Sequence, residues 1–574
     1  METVHSPDRR LIGAFIGAAF FTFVVLLHFT FPNMGGTGLR MPHNAAVWMG
    51  FALMMALAMW PAARGVIRFS AFHKGLGLLL LALWLPFLWS WNEASLIALP
   101  RLLTVTAGAI LLLGLAQLPL TRRDWWWIGM AILTGALLET AYGYVQFYLL
   151  QPGNWLGYRP DYGRPWGIFQ QVNVMASFLA TGLVISAWLY GEARNRIEKG
   201  IILLAPLFMP AMLWVIASRS GWLGVAIGVP MVLVHLWGLD RARFRQWATA
   251  LGAGVMLAVV VGLTAGEGGR SAEAITSQGL RPQVYEHSLR MIAEKPIAGW
   301  GYGRFQHDFL HSHADWRTAE QGRAPLREHY THPHNELLYW GIEGGLLPML
   351  ALLAFALWIG WRVIAHGPGG EKWLLLALLV PLSVHSMLEL PFYHSLAHWL
   401  VMLLILGMIS QLCWATKEKG NRYTFGIRVG AWLAVPVLWI FMGTHMQTLW
   451  QVKAHVESGG ERAGTLTAIF NPFGIPMTLD FLIMSQQLQA AASLGIDGFI
   501  ENFLLWGDEH ARLSPNPALY ANMVRAEFML GREMESSVIA KRAELLFPAF
   551  EVVTDALKPD AALGEIITAV DELE

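Results

Sequence analysis

Five short polar clusters interrupt an otherwise apolar chain, and each carries residues that are costly to keep in such surroundings. Ser218-Arg219-Ser220-Gly221 puts a guanidinium in a tight turn between two apolar runs. Arginine suits a turn poorly but its planar fork matches phosphate oxygens; the competing reading is a side chain reaching for the membrane interface. Arg101, near the end of its own apolar run, admits the same two readings, with the interfacial one ahead. Arg281, in Leu280-Arg281-Pro282-Gln283, opens a helical stretch that closes on Lys295-Pro296-Ile297-Ala298-Gly299-Trp300-Gly301-Tyr302-Gly303. Alone it reads as a solvated charge, and the glycines give a turn rather than a nucleotide fingerprint, because no strand-turn-helix unit surrounds them.

The third cluster, Thr331-His332-Pro333-His334-Asn335-Glu336, precedes an apolar run. An imidazole titrating near neutrality can take a proton from an attacking hydroxyl; the alternative is a histidine at the start of the next helix. His307, His311 and His313 lie upstream in the same segment, and the first two are spaced i, i+4. No glutamate follows His307 as a zinc-protease helix requires, so a metal site is the weaker reading. The fourth cluster runs from His385 through Glu389 to Tyr393 and His394 and can orient the others. The fifth, Trp166-Gly167-Ile168-Phe169-Gln170-Gln171-Val172-Asn173, offers the amides of Gln171 and Asn173, which hydrogen-bond a sugar or phosphate without bringing a charge.

The elements that must position these residues are membrane spans. Of the 574 residues, 55% are hydrophobic and 14% charged, too apolar for an ordinary soluble protein of this length. Lys and Arg together balance Asp and Glu at 40 each, which gives no basic face for a nucleic-acid partner. The single cysteine, Cys413, excludes an intrachain disulfide. Segments near 11–31, 44–60, 74–91, 97–117, 125–150, 172–190, 200–217, 221–238, 247–265, 343–361, 373–388, 395–413 and 426–446 approach the length needed to cross a bilayer, so the expectation is an all-α polytopic membrane protein with 12–14 spans. Arg9-Arg10 followed by a long apolar run reads as a first span rather than a cleaved signal.

One alternate set of short loops carries Arg9, Arg10, Arg64, Arg68, Lys74, Arg122, Arg123, Arg194, Arg196, Lys199, Arg241, Arg243, Arg245, Arg362, Lys372, Lys417, Lys419, Arg422 and Arg428; the other set holds only Arg40, Arg101, Arg159, Arg164 and Arg219. The charge bias places the amino terminus in the cytoplasm and all five polar clusters on the far side of the membrane, where they can share one cavity. Two long segments fall on that side as well: the loop 266–342 and everything after about 450. The expected division is therefore a membrane domain, 1–450, and a helical domain, 451–574, in which Ala518 to Pro548 has the small/large spacing of a tetratricopeptide-like helix pair or of a plain helical hairpin.

In their order and spacing these residues resemble the bacterial O-antigen ligase-like superfamily, which includes lipid A-core O-antigen ligases, polysaccharide polymerases and protein O-oligosaccharyltransferases. The resemblance rests on His334-Asn335 followed by Leu337-Leu338 and Glu343-Gly344, on Arg281 through Pro296 to Gly299 and Gly301, on Ser218-Arg219, and on Gln171 with Asn173. It implies transfer of a glycan from undecaprenyl pyrophosphate to an acceptor hydroxyl at the periplasmic face of the inner membrane, with inversion and without a metal or other cofactor. Arg219 and Arg281 would hold the pyrophosphate, His334 would serve as base or acceptor-positioning residue, and Gln171, Asn173, Asn335, Glu389 and Tyr393 would bind or orient substrate. The turn from His385 to Pro391 and the added tail look most like the enzymes that glycosylate Ser or Thr of pilin-like proteins, although Leu390 stands where those carry an aromatic residue. A lipid A-core acceptor is the next reading and repeat-unit polymerisation the third. A lipid or solute transporter, the alternative of another class, is disfavoured because its polar residues would sit near the midplane of an internal repeat.

Overall fold

The computed structural model of the chain describes residues 8–264, 279–320, 324–326, 330–460, 462 and 464–549. Part of the expected outer loop, 265–278, and the end of the tail, 550–574, lie outside the described residues. In chain order the helices are α1 (Arg9–Phe20, continued by a π-helical turn Phe21–Leu26), α2 (Pro42–Met59), α3 (Ala71–Trp84), α4 (Ser95–Leu115), α5 (Arg122–Tyr148), α6 (Val172–Glu192), α7 (Arg196–Ile216), α8 (Arg219–Leu239), α9 (Arg241–Thr264), α10 (Arg281–Glu294), α11 (Phe305–Ala319), α12 (Glu336–Gly344), α13 (Leu346–His366), α14 (Lys372–Ser386), the single turn α15 (Pro391–His394), α16 (Leu396–Cys413) and α17 (Thr424–Glu457). The tail adds α18 (Pro476–Leu494), α19 (Asp497–Ala511), α20 (Pro517–Met529) and α21 (Glu533–Leu546).

Among the described residues, twelve helices are long and apolar enough to cross a membrane, and the protein is an all-α polytopic membrane protein as expected. The thirteenth expected span, 373–388, is the shorter apolar helix α14. At 15 residues it rises only about 22 Å, less than the ~30 Å hydrocarbon core, so its polar end finishes inside the protein rather than in lipid.

The best-buried span is α6, which packs against α5, α7, α8 and α14. Helix α8 approaches α6 and α14 through a stripe of glycines. A Cβ on Gly221 would lie 2.6 Å from Ala176 Cβ, one on Gly224 3.1 Å from Pro381 Cα, and one on Gly228 2.9 Å from Val184 Cγ2. Small residues at this spacing allow close helix contact where lipid supplies no hydrophobic drive. At the opposite end of the bundle the basic loops are tied together: β1 (Val66–Phe69) pairs antiparallel with β2 (Lys417–Gly420), and Arg122 joins Glu192 at 2.6 Å and Glu371 at 2.5 Å. This two-stranded ribbon had no clear sequence signal.

Helix α17 is 34 residues, about 51 Å by its rise, and runs unbroken through the boundary expected at 450. Its last turns stand clear of the span and carry the tail. Two antiparallel helix pairs follow, α18 with α19 and α20 with α21, the second coinciding with the hairpin expected at 518–548. The tail shares a single apolar core with the long loop: Val284, Met291, Phe305 and Phe309 pack together with Leu479, Leu482, Phe503 and Leu546. Arg317 on α11 closes this contact by donating to the Leu545 carbonyl at 2.7 Å.

Candidate active site

Four of the five polar clusters converge on one carboxylate. Glu389 follows the short helix α14; its Oε1 accepts hydrogen bonds from Asn173 Nδ2 at 2.7 Å and Arg281 Nη2 at 2.9 Å, and its Oε2 accepts from Gln171 Nε2 at 3.3 Å and lies 3.3 Å from His385 Nε2. Ser218 extends the network by donating to Asn173 Oδ1 at 2.7 Å. Burial alone would raise the Glu389 carboxyl, but the His385 hydrogen bond and the charges of His385, His334 and Arg281 outweigh it and hold the pKa at about 2. The carboxylate is therefore ionised throughout the physiological range.

Local sequence explains why these side chains meet. Gln171 caps α6, its Oε1 accepting from the Asn173 and Val174 amides, and Ser218 caps α8 by accepting from Gly221. Both helices thus start at the site, and their unsatisfied amides add positive potential there. Asn335 caps α12 through Leu338 N–H and ties it to the α14 end by donating to the Met387 carbonyl at 3.0 Å. Tyr285 bridges the same two segments, its hydroxyl 3.1 Å from both the His334 and Met387 carbonyls.

Beside this hub lies a cleft of about 470 Å³ lined by Arg159, Tyr162, Arg164, Trp166, Gln170, Gln171, Val172, Asn173, Arg219, Ser220 and Arg281. Among the described residues that line it are four arginines and no carboxylate, Glu389 pairing with Arg281 from the adjoining hub, so an anionic ligand is favoured. Arg219 and Arg281, singled out in the sequence, both line it. Arg159 and Arg164 were weighed there only as loop charges, although their setting among Tyr158, Tyr162 and Trp166 was a usable signal. Arg164 also binds the carboxyl end of α7, donating to Ile216 O at 2.7 Å and Ala217 O at 3.3 Å.

Among the described residues, the non-glycine residues with left-handed backbone are Gln170 (φ 53°), Ala217 (φ 50°) and His334 (φ 54°). Each is a candidate site residue or adjoins one. Such conformations persist only where the surroundings over-determine them, and they gather at functional sites. His334 does not line the cleft; its ring stands at the hub's edge, 5.4 Å from the Tyr330 ring and 4.7 Å from that of His332, close enough for its charge to act on Glu389. Burial, reinforced by His334, pushes His332 down to about 3 and keeps it neutral.

The structure gives several of the candidates partners of their own and places Arg101 away from the interface. The side-chain amide nitrogens of Gln171 and Asn173 are already committed to Glu389, so these residues hold the wall of the cleft as well as facing it. Glu389 collects the other candidates around itself. Tyr393 belongs to a neighbouring cluster, donating to Glu336 Oε1 at 3.1 Å and packing on Tyr339, with ring centroids 5.7 Å apart. Arg101 does not reach for the interface: its side chain is 7% exposed, ion-paired with Glu343 and set over the rings of Tyr339 and Trp340 at 4.5 and 4.2 Å. Two nearby carboxylates and three aromatic rings hold that charge inside. The His307 and His311 rings stack at 4.1 Å, and no group of three metal-ligating side chains among the described residues could hold an ion.

Three family models match consecutive parts of the chain: protein glycosylation ligase at residues 165–190, O-antigen ligase at 202–353, and the C-terminal part of virulence factor membrane-bound polymerase at 373–559. The first covers the turn and helix that contribute Gln171 and Asn173, the second contains Arg219, Arg281 and His334, and the third contains Glu389 and the tail. No curated protein matches the chain.

Proposed function

We propose that this chain, a multi-pass membrane protein similar to the O-antigen ligase-like superfamily and to protein glycosylation ligases, is an oligosaccharyltransferase that moves a glycan from undecaprenyl pyrophosphate to Ser or Thr hydroxyls of periplasmic proteins such as pilin. The observation that carries this reading is the cleft in which Arg159, Arg164, Arg219 and Arg281 converge, with no carboxylate among the described residues that line it. Glycosyl transfer from a lipid pyrophosphate develops negative charge on the leaving group as the glycosidic bond breaks. Guanidinium groups already in place stabilise that charge more in the transition state than in the ground state. In this reading the acceptor oxygen attacks the anomeric carbon opposite the pyrophosphate, His334 takes the hydroxyl proton, and the configuration inverts. Glu389 keeps Arg281 and the Asn173 wall aligned, and the arginines supply the electrophilic assistance, so neither a metal nor another cofactor has a step to perform.

The charge bias of the loops supports an inner-membrane protein with a cytoplasmic amino terminus and with its site and tail in the periplasm. The protein-glycosylation match over 165–190 favours a protein acceptor. The O-antigen ligase match over 202–353 favours lipid A-core as the second reading. Co-expression with a lipid-linked glycan, a pilin-like acceptor and lipid A-core in a bacterium lacking its own ligase separates them. Glycan on protein that disappears with His334→Ala supports the proposal; glycan on lipid A-core alone makes the protein an O-antigen ligase; lengthened lipid-linked glycan alone makes it a polymerase.

A further inference from the structure

The mechanism leaves one fully buried acid without a task. Glu139 lies within the span α5, is 0% exposed, and has His28 Nε2 3.2 Å from its Oε1. Its other oxygen accepts the Ile168 amide at 3.1 Å. Two turns further along the same helix face, buried Gln146 accepts both the Trp166 amide at 3.1 Å and the Gly167 amide at 2.9 Å through one oxygen, and returns a bond to the Gly167 carbonyl at 3.3 Å. Three successive backbone N–H groups are thereby satisfied by two side chains of α5.

Irregular backbone buried in a membrane protein must find hydrogen-bond partners within the protein, because lipid offers none. Beyond these bonds the turn is anchored by Ile168 and Phe169, which are buried in the core, the Phe169 ring packing on Phe178 and His398. Gly167 has φ +64°, and a Cβ there would fall 2.2 Å from Glu139 Oε2, so the chain passes directly over the carboxylate. Immediately beyond it come left-handed Gln170 and then Gln171, whose carboxamide reaches Glu389. Trp166, Gln170 and Gln171 form one wall of the arginine cleft.

We infer that Glu139 and Gln146 are positioning residues for the donor-binding wall, setting the 166–171 turn so that its side chains face the cleft. Glu139 accepts a backbone hydrogen bond and touches no substrate; its second oxygen lies 3.2 Å from His28 Nε2, in the turn that follows the π-helical segment Phe21–Leu26. The inference rests on the cleft being the pyrophosphate site.

The test uses the full-length protein in lipid nanodiscs, with undecaprenyl pyrophosphate as the binding probe and separate KM values for lipid-linked donor and for acceptor. Loss of a buried hydrogen bond to the carboxyl oxygen predicts that Glu139→Ala weakens probe binding and raises the donor KM about tenfold or more, with the acceptor KM unchanged. Glu139→Gln retains an oxygen for Ile168 N–H and should stay within about threefold of the parent protein. Gln146→Ala and Gly167→Ala should reproduce the donor-specific defect with Glu139 intact, and they decide the matter if Glu139→Ala does not fold. Equal losses for donor and acceptor, or a Glu139→Gln protein as impaired as the alanine variant, would overturn the inference. Failure of the parent protein to bind the probe would instead overturn the pyrophosphate reading on which it rests.

Discussion

Arg101 lies near the end of an apolar run and Arg281 opens a helix of the long loop, and their surroundings give them opposite work. Arg101 is enclosed with Glu343, and removing either partner strands a charge. Arg101→Ala should therefore lower stability by about 3–5 kcal/mol, while Arg101→Met combined with Glu343→Gln should recover most of it; thermal unfolding in detergent measures both. Arg281 lines an open cleft and keeps part of its guanidinium toward it. Arg281→Ala should still fold, because Asn173, Gln171 and His385 remain around Glu389, and lose roughly a hundredfold or more in transfer rate, read by glycan blotting of the acceptor. Glu389 makes a pH prediction. Its folded pKa of about 2 lies below the ordinary carboxylate value, so the stability it adds is fully present above about pH 5 and is lost as pH falls toward 2. The stability gap between the parent protein and Glu389→Gln should be on the order of 3 kcal/mol at pH 6 and shrink toward zero near pH 2. A gap independent of pH would show that the carboxylate is not held by these charges.

Helix ends build the site. The starts of α6, α8 and α12 carry Gln171, Ser218 and Asn335 as caps, and each capping side chain also reaches, directly or through Asn173, toward the end of α14. The hub forms where the end of α14 meets the starts of α6 and α8. The loop is seated by side chains, the Tyr302 hydroxyl donating to the Leu83 carbonyl at 2.6 Å and Glu343 accepting from the Gly303 and Phe305 amides, and by one close backbone approach. Gly303 has φ +78°, and a Cβ there would fall 1.7 Å from the Ala94 carbonyl, where nothing flexible can yield. Gly303→Ala should thus unseat the loop from the beginning of α4 and lower the unfolding temperature by several degrees, about what 1–3 kcal/mol produces. Gly279→Ala, with open space around its Cβ position, is the control for backbone conformation alone.

The molecule joins a bundle of membrane-spanning helices to a second apolar core made from two distant stretches of chain. Because α10 and α11 share one core with α18 to α21, the tail is part of the platform that presents Arg281 and His334. A chain truncated after residue 460 should expose Val284, Phe305 and Phe309, form aggregates on size-exclusion chromatography, and lose activity even though every cleft residue remains. Retention of full activity would make the tail an independent appendage.

The spans, their order and their charge bias were legible in the sequence, because crossing a bilayer demands about 20 apolar residues and basic loops stay on one side, both local properties of the chain. The second helix pair of the tail was likewise legible, and Arg219 and Arg281, which line the cleft, stood out as polar groups in an apolar chain. Pairing was not visible. Glu389 is separated by 216 residues from Asn173 and by 108 from Arg281, and nothing in their local sequence says which amide or guanidinium a carboxylate will meet. The same limit hid the Arg101 partner, 242 positions away, the contribution of Arg159 and Arg164 to the cleft, and the common core of loop and tail. Hydrophobic length and loop charge act along the chain and can be read from it, whereas the partner of a buried charge is chosen by how helices pack, since only packing brings distant groups close enough to offset the loss of water.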